Sequence, residues 1–238
     1  MTPDELRDHA VVSHDRWIAA RTTLLAKEKE FTRAKDELNR ARRALPWERV
    51  EKTYLFEGPE GKHTLADLFA GRSQLFVYHF MFGPDEQEGC PNCSFWADHY
   101  DGAGLHLPQR DVSFVVVSRA PLAKIERFKR RMGWRFQWVS SAGTDFNYDL
   151  GVSFTPDQVK RGAMYNYEMT KAGMPDREGA SVFYQDRAGG VFHTYSCYAR
   201  GIEMLNGTYR VLDLVPKGRD EDPDDPLSWV RYHDRYQD

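Results

Sequence analysis

The sequence predicts an α/β protein: a central mixed sheet flanked by helices, with a long N-terminal helix before it and a C-terminal extension after it. Two short apolar runs, 75–82 (LFVYHFMF) and 111–118 (DVSFVVVS), carry β-branched and aromatic residues but no helical polar face, so they read as buried strands. Each is followed by a segment with helix-start signals, which makes a parallel pair with a crossover. Two further runs, 180–184 and 191–198, flank the turn signal Asp186-Arg187-Ala188-Gly189-Gly190 and predict an antiparallel hairpin.

Residues 1–12 read as a loose or lightly helical lead-in. From Ser13, a suitable N-cap, to about residue 45 the pattern is helical and strongly charged. Trp17, Leu24, Phe31, Leu38 and Leu45 recur every seven residues, with Ala20, Ala34 and Ala41 on the same side. This face suits packing on the helix's own domain, or reaching a second copy in a homodimer. The basic cluster Arg40, Arg42, Arg43 reads as a solvated face. Pro46 ends the helix.

Residues 51–56 and 63–65, around Gly58-Pro59-Glu60-Gly61, read as a short hairpin, and 65–69 as one helical turn. A helix follows from 91 to 100. Pro121 opens an amphipathic helix over 122–132, which Gly133 closes. Residues 136–140 form a short strand and 145–152 a loop or short helix. The stretch 155–178 reads as a polar excursion with limited structure, and 201–214 as a last helix. The tail combines an acidic, proline-broken linker with Trp229, Tyr232 and Tyr236, aromatics expected to dock. The divisions are 1–46, an N-terminal helical extension; 47–215, the α/β domain; and 216–238, the linker and aromatic tail.

The chemistry centres on Cys90-Pro91-Asn92-Cys93. Gly83, Pro84 and Gly89 break the chain after the first buried strand, and Pro91 suits the first turn of a helix. Both cysteines then share one turn, with Cys90 at the end where unpaired N–H groups point outward. Those groups and the helix dipole favour a thiolate, making Cys90 the nucleophile. Cys93, one turn deeper, is placed to resolve a mixed disulfide. Glu86 and Glu88 precede the pair, where negative charge would raise a thiol pKa. Strand, dithiol helix, strand, helix and hairpin follow the thioredoxin-like order, which brings residues 195–200, with Cys197, to the same sheet edge as Cys90.

Composition narrows the function. With 238 residues, 41% of them apolar and 13% aromatic, the chain can build a sizeable core. A formal charge of −3 makes no case for nucleic acid or an anionic membrane. No apolar stretch reaches membrane-spanning length, and the N-terminus lacks a signal peptide's apolar core, so a cytoplasmic location is expected. In a reducing compartment three cysteines are no disulfide framework, and a C-x-x-C beside a βαβ pattern favours redox chemistry. No glycine-rich dinucleotide fingerprint or phosphate loop is present, so no cofactor is expected and electrons must come from a partner or a small thiol.

Several stretches carry a resemblance: ALPW at 44–47, YHFMFG at 78–83, GCPNCSFWAD at 89–98 and VSRAP at 117–121. RMGW at 131–134, WVSS at 138–141, VFHTYS at 191–196, YARG at 198–201 and WVR at 229–231 complete it. On these, from about residue 24 onward, the chain resembles a bacterial family of uncharacterised thioredoxin-like proteins, predicted dithiol–disulfide oxidoreductases. The resemblance implies a thioredoxin-like fold and a redox role, but no substrate. In that family threonine commonly stands where Cys197 does, so no third catalytic thiol is implied. Thioredoxins place a cis-proline just before the hairpin, facing the dithiol; here the matching stretch is Arg177-Glu178-Gly179-Ala180.

The leading expectation is a thiol–disulfide oxidoreductase with Cys90 and Cys93 as catalytic residues. Its partners would be a disulfide or oxidised-thiol substrate and an external thiol reductant. A peroxiredoxin-like thiol peroxidase is the second reading. In that group a Pro-x-x-x-Thr-x-x-Cys motif supplies the hydroxyl donor; here Gly83 and Gln87 occupy the Pro and Thr positions, leaving Arg119 or Arg200 to stabilise a thiolate. The third is a module that binds a partner or a metal through the thiols, completed by His79, His193 or Cys197. His79 and His193 read equally as buried core histidines.

Overall fold

The computed structural model describes residues 9–171 and 173–237, which fall into two compact units divided between Pro46 and Trp47. The expected lead-in lies, over residues 1–8, outside the described residues. Helix α1 (His14–Arg43) forms the first unit, with Ser13 at its N-cap in an extended conformation. Arg40, Arg42 and Arg43 occupy its last turn, where the helix dipole favours positive charge. None of its residues is buried, and Phe31 on the seven-residue stripe is 69% exposed.

The second unit opens with β1 (Glu48–Arg49), β2 (Leu55–Gly58) and β3 (Gly61–Thr64), then a 3-10 turn at Asp67–Phe69 and β4 (Gln74–His79). Then come α2 (Pro91–Ala103), β5 (Val112–Ser118), α3 (Leu122–Arg131), β6 (Gln137–Ser140) and α4 (Phe146–Asp149). After α5 (Pro156–Arg161), β7 (Ala163–Tyr165) pairs with β8 (Glu168–Thr170) as a separate ribbon. The hairpin β9 (Gly179–Gln185) and β10 (Val191–Tyr198) leads to a 3-10 segment, Ala199–Leu205, and α6 (Gly207–Leu212).

Eight strands make one mixed sheet in the order β1-β10-β9-β4-β5-β6-β2-β3. Strands β4, β5 and β6 run parallel, while β9 pairs antiparallel with β4 and β10 with β9. Strand β4, α2, β5 and the hairpin beside β4 constitute the thioredoxin-like fold. The central strands are apolar nearly throughout because both sheet faces are covered. On one face Tyr78, Val116 and Trp138 pack with Trp96 of α2 and with Ile125 and Phe128 of α3. On the other, Val77, Val115 and Val139 pack with Phe146 of α4, Phe56 of β2 and Phe69 of the 3-10 turn.

Several expectations are corrected. Strand β4 leaves the ladder after His79: Phe80 still donates its N–H to the Val117 carbonyl (3.0 Å), but Met81 already serves the dithiol turn. The excursion expected at 155–178 carries regular structure over 156–170. Thr155 and Gln158 form a reciprocal capping box at the start of α5, and a two-stranded ribbon follows. The last helix is broken at Asn206, whose Oδ1 accepts from Tyr209 N–H (3.2 Å) and caps α6. In the tail, Val230 and Tyr232 are buried, whereas Tyr236 is exposed.

The α4 face offers a direct check. The Phe146 ring meets Tyr54, Phe56, His79 and Phe183 at centroid separations of 5.1, 4.9, 5.7 and 6.0 Å and is fully buried. Phe146→Ala should cost about 3–5 kcal/mol in urea unfolding, the range for a truncated core phenylalanine.

Candidate functional site

Strand β4 delivers the chain to Met81, and the loop at 83–89 returns it to Cys90. The loop closes over the Phe80–Phe128 ring pair, where Gly89 is required by space. A Cβ there would lie 2.6 Å from Phe80 Cε1 and 2.9 Å from Phe128 Cε1. Tyr232 donates its hydroxyl to the Gly89 carbonyl (2.6 Å), so the C-terminal tail clasps the residue before the first cysteine. Glu88 is held by Arg131 (2.6 Å) and Arg235 (2.8 Å), and Glu86 accepts from Gly83 N–H (2.6 Å).

Cys90 is the N-cap of α2, and Pro91 supplies the first turn. The Cys93 N–H donates to Cys90 Sγ (3.4 Å). The backbone of Met81 engages both cysteines: its carbonyl accepts from Cys90 N–H (3.0 Å), and its N–H donates to Cys93 Sγ (3.4 Å). Ser94 fixes the turn through hydrogen bonds from its N–H (3.0 Å) and hydroxyl (2.9 Å) to the Cys90 carbonyl.

This geometry separates the two thiols electrostatically. The hydrogen bond from the Cys93 thiol pulls Cys90 below the ordinary thiol value; burial opposes it, and the amides of Cys93 and Asn92 add to it. Burial pushes Cys93 well above that value, reinforced by its hydrogen bond to Cys90. The carboxylate of Glu178 raises both. Cys90 is partly exposed and Cys93 buried, so the accessible sulfur is also the more acidic one.

A cleft of about 850 Å³ opens in front of the pair. Tyr78, Met81 and Trp96 line it on the core side, with Glu178, Arg200 and Leu227 among the remaining walls. Glu178 reaches it through a pinned backbone. Two residues earlier, Asp176 receives Arg119 in a bidentate pair (2.8 Å twice) and the Ser153 hydroxyl (2.5 Å). Tyr165 donates its hydroxyl to the Glu178 carbonyl (2.9 Å). At Gly179 a Cβ would stand 2.5 Å from Tyr198 Cδ1, so the hairpin starts with its backbone against that ring.

The remaining sequence candidates separate. Arg119 is committed to Asp176 and Tyr148 rather than to the thiols, whereas Arg200 lines the cleft and pairs with Glu203 (3.0 Å). Cys197 is buried on the α2 face, in register with Ala180, beside Tyr78. His79 and His193 lie elsewhere. His79 Nε2 meets Ser181 Oγ (2.8 Å), Ser181 Oγ meets Ser196 Oγ (2.7 Å), and Ser196 Oγ meets His193 Nε2 (2.7 Å). Burial pushes His79 down to about 3, which keeps it neutral. Among the described residues no cluster of three or more His, Cys, Asp or Glu side chains is arranged to hold a metal ion. No helix among them is long and apolar enough to cross a membrane.

Sequence reasoning missed Glu178 as a site residue and the tail as a cleft wall. The Thr155-x-x-Gln158 capping signal was available to show that a helix starts at 156, but no local signal places Glu178 before the thiols.

Fold and site together define a thioredoxin-like protein with a dithiol at the start of the helix after its central strand. Over residues 6–236 the chain matches the family described as bacterial protein of unknown function (DUF899), and it belongs to that family. No curated protein matches it. Among solved structures it is similar to the peroxidoxin BcpB from Mycobacterium tuberculosis, at 15% identity, 69% of this chain, 96% of that one and a TM-score of 0.46. Xanthomonas campestris peroxiredoxin Q shows 12% identity over 70% of this chain and 94% of that one, with a TM-score of 0.45. A Bacteroides vulgatus chain proposed as a thiol–disulfide oxidoreductase shows 14% identity over 66% and 92%, with a TM-score of 0.38.

The charge arrangement makes a signed prediction. Alkylation of Cys90 by iodoacetamide should rise with pH through a midpoint below that of an ordinary thiol, with Cys93 reacting far more slowly. Removing the negative charge with Glu178→Gln should move the Cys90 midpoint lower still, because a nearby anion disfavours the thiolate. Peptide-resolved mass spectrometry across a pH series reads both.

Proposed function

We propose that this protein is a thiol–disulfide oxidoreductase using Cys90 and Cys93. The observation that supports this is the opposed tuning of two thiols on one helical turn. Cys90, accessible and with a lowered pKa, is suited to attack; Cys93, buried and with a raised pKa, is suited to act second. Cys90 thiolate attacks one sulfur of a disulfide substrate, the S–S bond breaks, and the first product leaves as a thiolate that takes up a proton. Cys93 then loses its proton and attacks Cys90 Sγ, releasing the second product thiol and closing a Cys90–Cys93 disulfide. An external thiol reductant supplies the two electrons that reopen it.

The peroxide reading shares Cys90 as nucleophile but needs a cation at the thiolate to receive the departing oxygen. Arg119 is tied to Asp176, and of the arginines that line the cleft Arg200 is paired with Glu203 and Arg219 with Asp213 and Glu203. Disulfide exchange asks less of the site, since its leaving group is a thiolate that needs no such cation.

Cys90→Ser should abolish turnover of a small disulfide. Cys93→Ser should retain the first attack and accumulate a mixed disulfide on Cys90, visible by mass. Cys197→Ser should keep most of the activity. A fully active Cys90→Ser protein would end this mechanism.

The exposed stripe of α1 is read as a contact for a second copy. Large apolar residues at seven-residue spacing suit the seam of two supercoiled helices, and none of them is buried within the chain. Replacing Leu24 and Phe31 together by Glu should convert a dimer to a monomer in analytical ultracentrifugation. A wild-type protein that sediments as a monomer at all concentrations would remove this reading.

A further inference from the structure

The cleft before the dithiol also carries information about what enters it. At about 850 Å³ it is the size of a small-molecule site rather than a flat docking surface. Its inner wall is apolar, from Met81, Trp96 and Ile202, which suits a short hydrocarbon stem. Its ionisable groups are unbalanced: five carboxylates face three guanidinium groups, a formal excess of two negative charges.

Two of the three positive groups, Arg219 and Arg200, are engaged with carboxylates, and the third, Arg177, lies with its guanidinium 5.8 Å from the Tyr165 ring centre. Arg219 is gripped by Asp213 (2.8 and 3.2 Å) and Glu203 (3.1 Å), with its guanidinium 4.0 Å from the Tyr209 ring centre. Arg200 pairs with the same Glu203 (3.0 Å). Glu221, in contrast, accepts from two neutral donors, the Tyr209 hydroxyl (2.9 Å) and the Trp229 indole N–H (3.1 Å), which hold it in place without cancelling its charge. Glu221 and Asp225 belong to Asp220-Glu221-Asp222-Pro223-Asp224-Asp225, where five of six residues are acidic. The segment that read as an acidic linker thus contributes to the wall of the cleft. An excess of one sign of charge in a cleft concentrates counter-charged solutes and speeds their entry.

We infer that the dithiol serves small organic disulfides bearing amino groups, whose cationic ends meet the acidic wall while their stems lie on the apolar one. This rests on the oxidoreductase reading above. Oxidised glutathione-like anionic disulfides are disfavoured by the same wall, and folded protein disulfides by the partial burial of Cys90. The exchange is the one already written: two product aminothiols leave, and the dithiol becomes the Cys90–Cys93 disulfide.

The test uses three disulfides of nearly equal shape: cystamine, cationic; bis(2-hydroxyethyl) disulfide, neutral; and dithiodipropionate, anionic. Pre-reduced full-length protein is mixed with each in a single turnover, and the Cys90–Cys93 disulfide is counted after acid quench and alkylation. Each rate is divided by that of 2-mercaptoethanol thiolate with the same compound, which removes intrinsic reactivity. The normalised second-order rate should fall from cystamine to dithiodipropionate by about tenfold or more at low salt, within the range of electrostatic steering. The span should collapse near 1 M salt, where screening shortens to about 3 Å. A Glu221→Gln, Asp225→Asn double variant should narrow the cationic-to-anionic ratio by about threefold or more, on the same steering argument.

Equal normalised rates, salt-independent rates, or faster reaction with dithiodipropionate or with insulin disulfides would overturn the substrate class while leaving the dithiol chemistry standing. Failure of all the disulfides to oxidise the pair would overturn the oxidoreductase reading, and this inference with it.

Discussion

The site depends on a backbone clamp. Two residues beyond β4, Met81 presents one carbonyl and one N–H, and these take Cys90 N–H and Cys93 Sγ respectively. The clamp ties the start of α2 to the chain leaving the central strand and holds both cysteines there. It leaves Cys90 Sγ as the acceptor for the Cys93 N–H, a role usually filled at a helix start by a serine or aspartate oxygen. A sulfur in that position gains most as an anion. The hydrogen bond from the Cys93 thiol leads the lowering of the Cys90 pKa, and the amides of Cys93 and Asn92 at the helix start add to it.

Around the clamp, charge is arranged to oppose that acidity as well as to favour it. Glu178 raises both thiols and is brought there by a pair that is itself nearly buried, Arg119 with Asp176. Burying such a pair has a large desolvation cost, offset here by bidentate geometry, by the Ser153 hydroxyl donating to Asp176 and by the Tyr148 hydroxyl accepting from Arg119. The pair takes up an arginine that could have faced the thiolate and fixes a carboxylate that does face it. The resulting environment is less cationic than a peroxide-cleaving site calls for.

The opposite sheet face shows why histidine near a dithiol need not join its chemistry. His79 is one residue beyond Tyr78, which touches the Cys93 carbonyl, yet strand alternation turns it to the other side. There it meets Ser181, and the chain of hydroxyls ends at His193. This chain crosses β4, β9 and β10 and serves the sheet.

Much of the molecule was legible from local pattern. The strands at β4, β5 and the hairpin, the helix starting beside Cys90, and the seven-residue stripe of α1 all follow from short-range periodicity and from proline and glycine at helix ends. So did the place of Cys90 at the helix start, whereas the burial that raises Cys93 comes from packing against the core. The capping box at Thr155 was equally local but masked by the polar character of its surroundings, and Asn206 was hidden inside an apolar pattern that ran through it.

Tertiary structure alone decided which distant groups meet the dithiol. Glu178 lies 85 positions beyond Cys93 in the chain and Glu221 further still; they reach the cleft because β9 starts at the sheet edge where β4 ends and because the tail folds back over α2. The amino-acid sequence by itself placed Cys90 at the helix start, since an N-cap and its hydrogen bonds lie within one helical turn. The charge of the cleft and the joining of His79 to His193 through Ser181 and Ser196 were set by strand pairing and long-range packing, which no local spacing encodes.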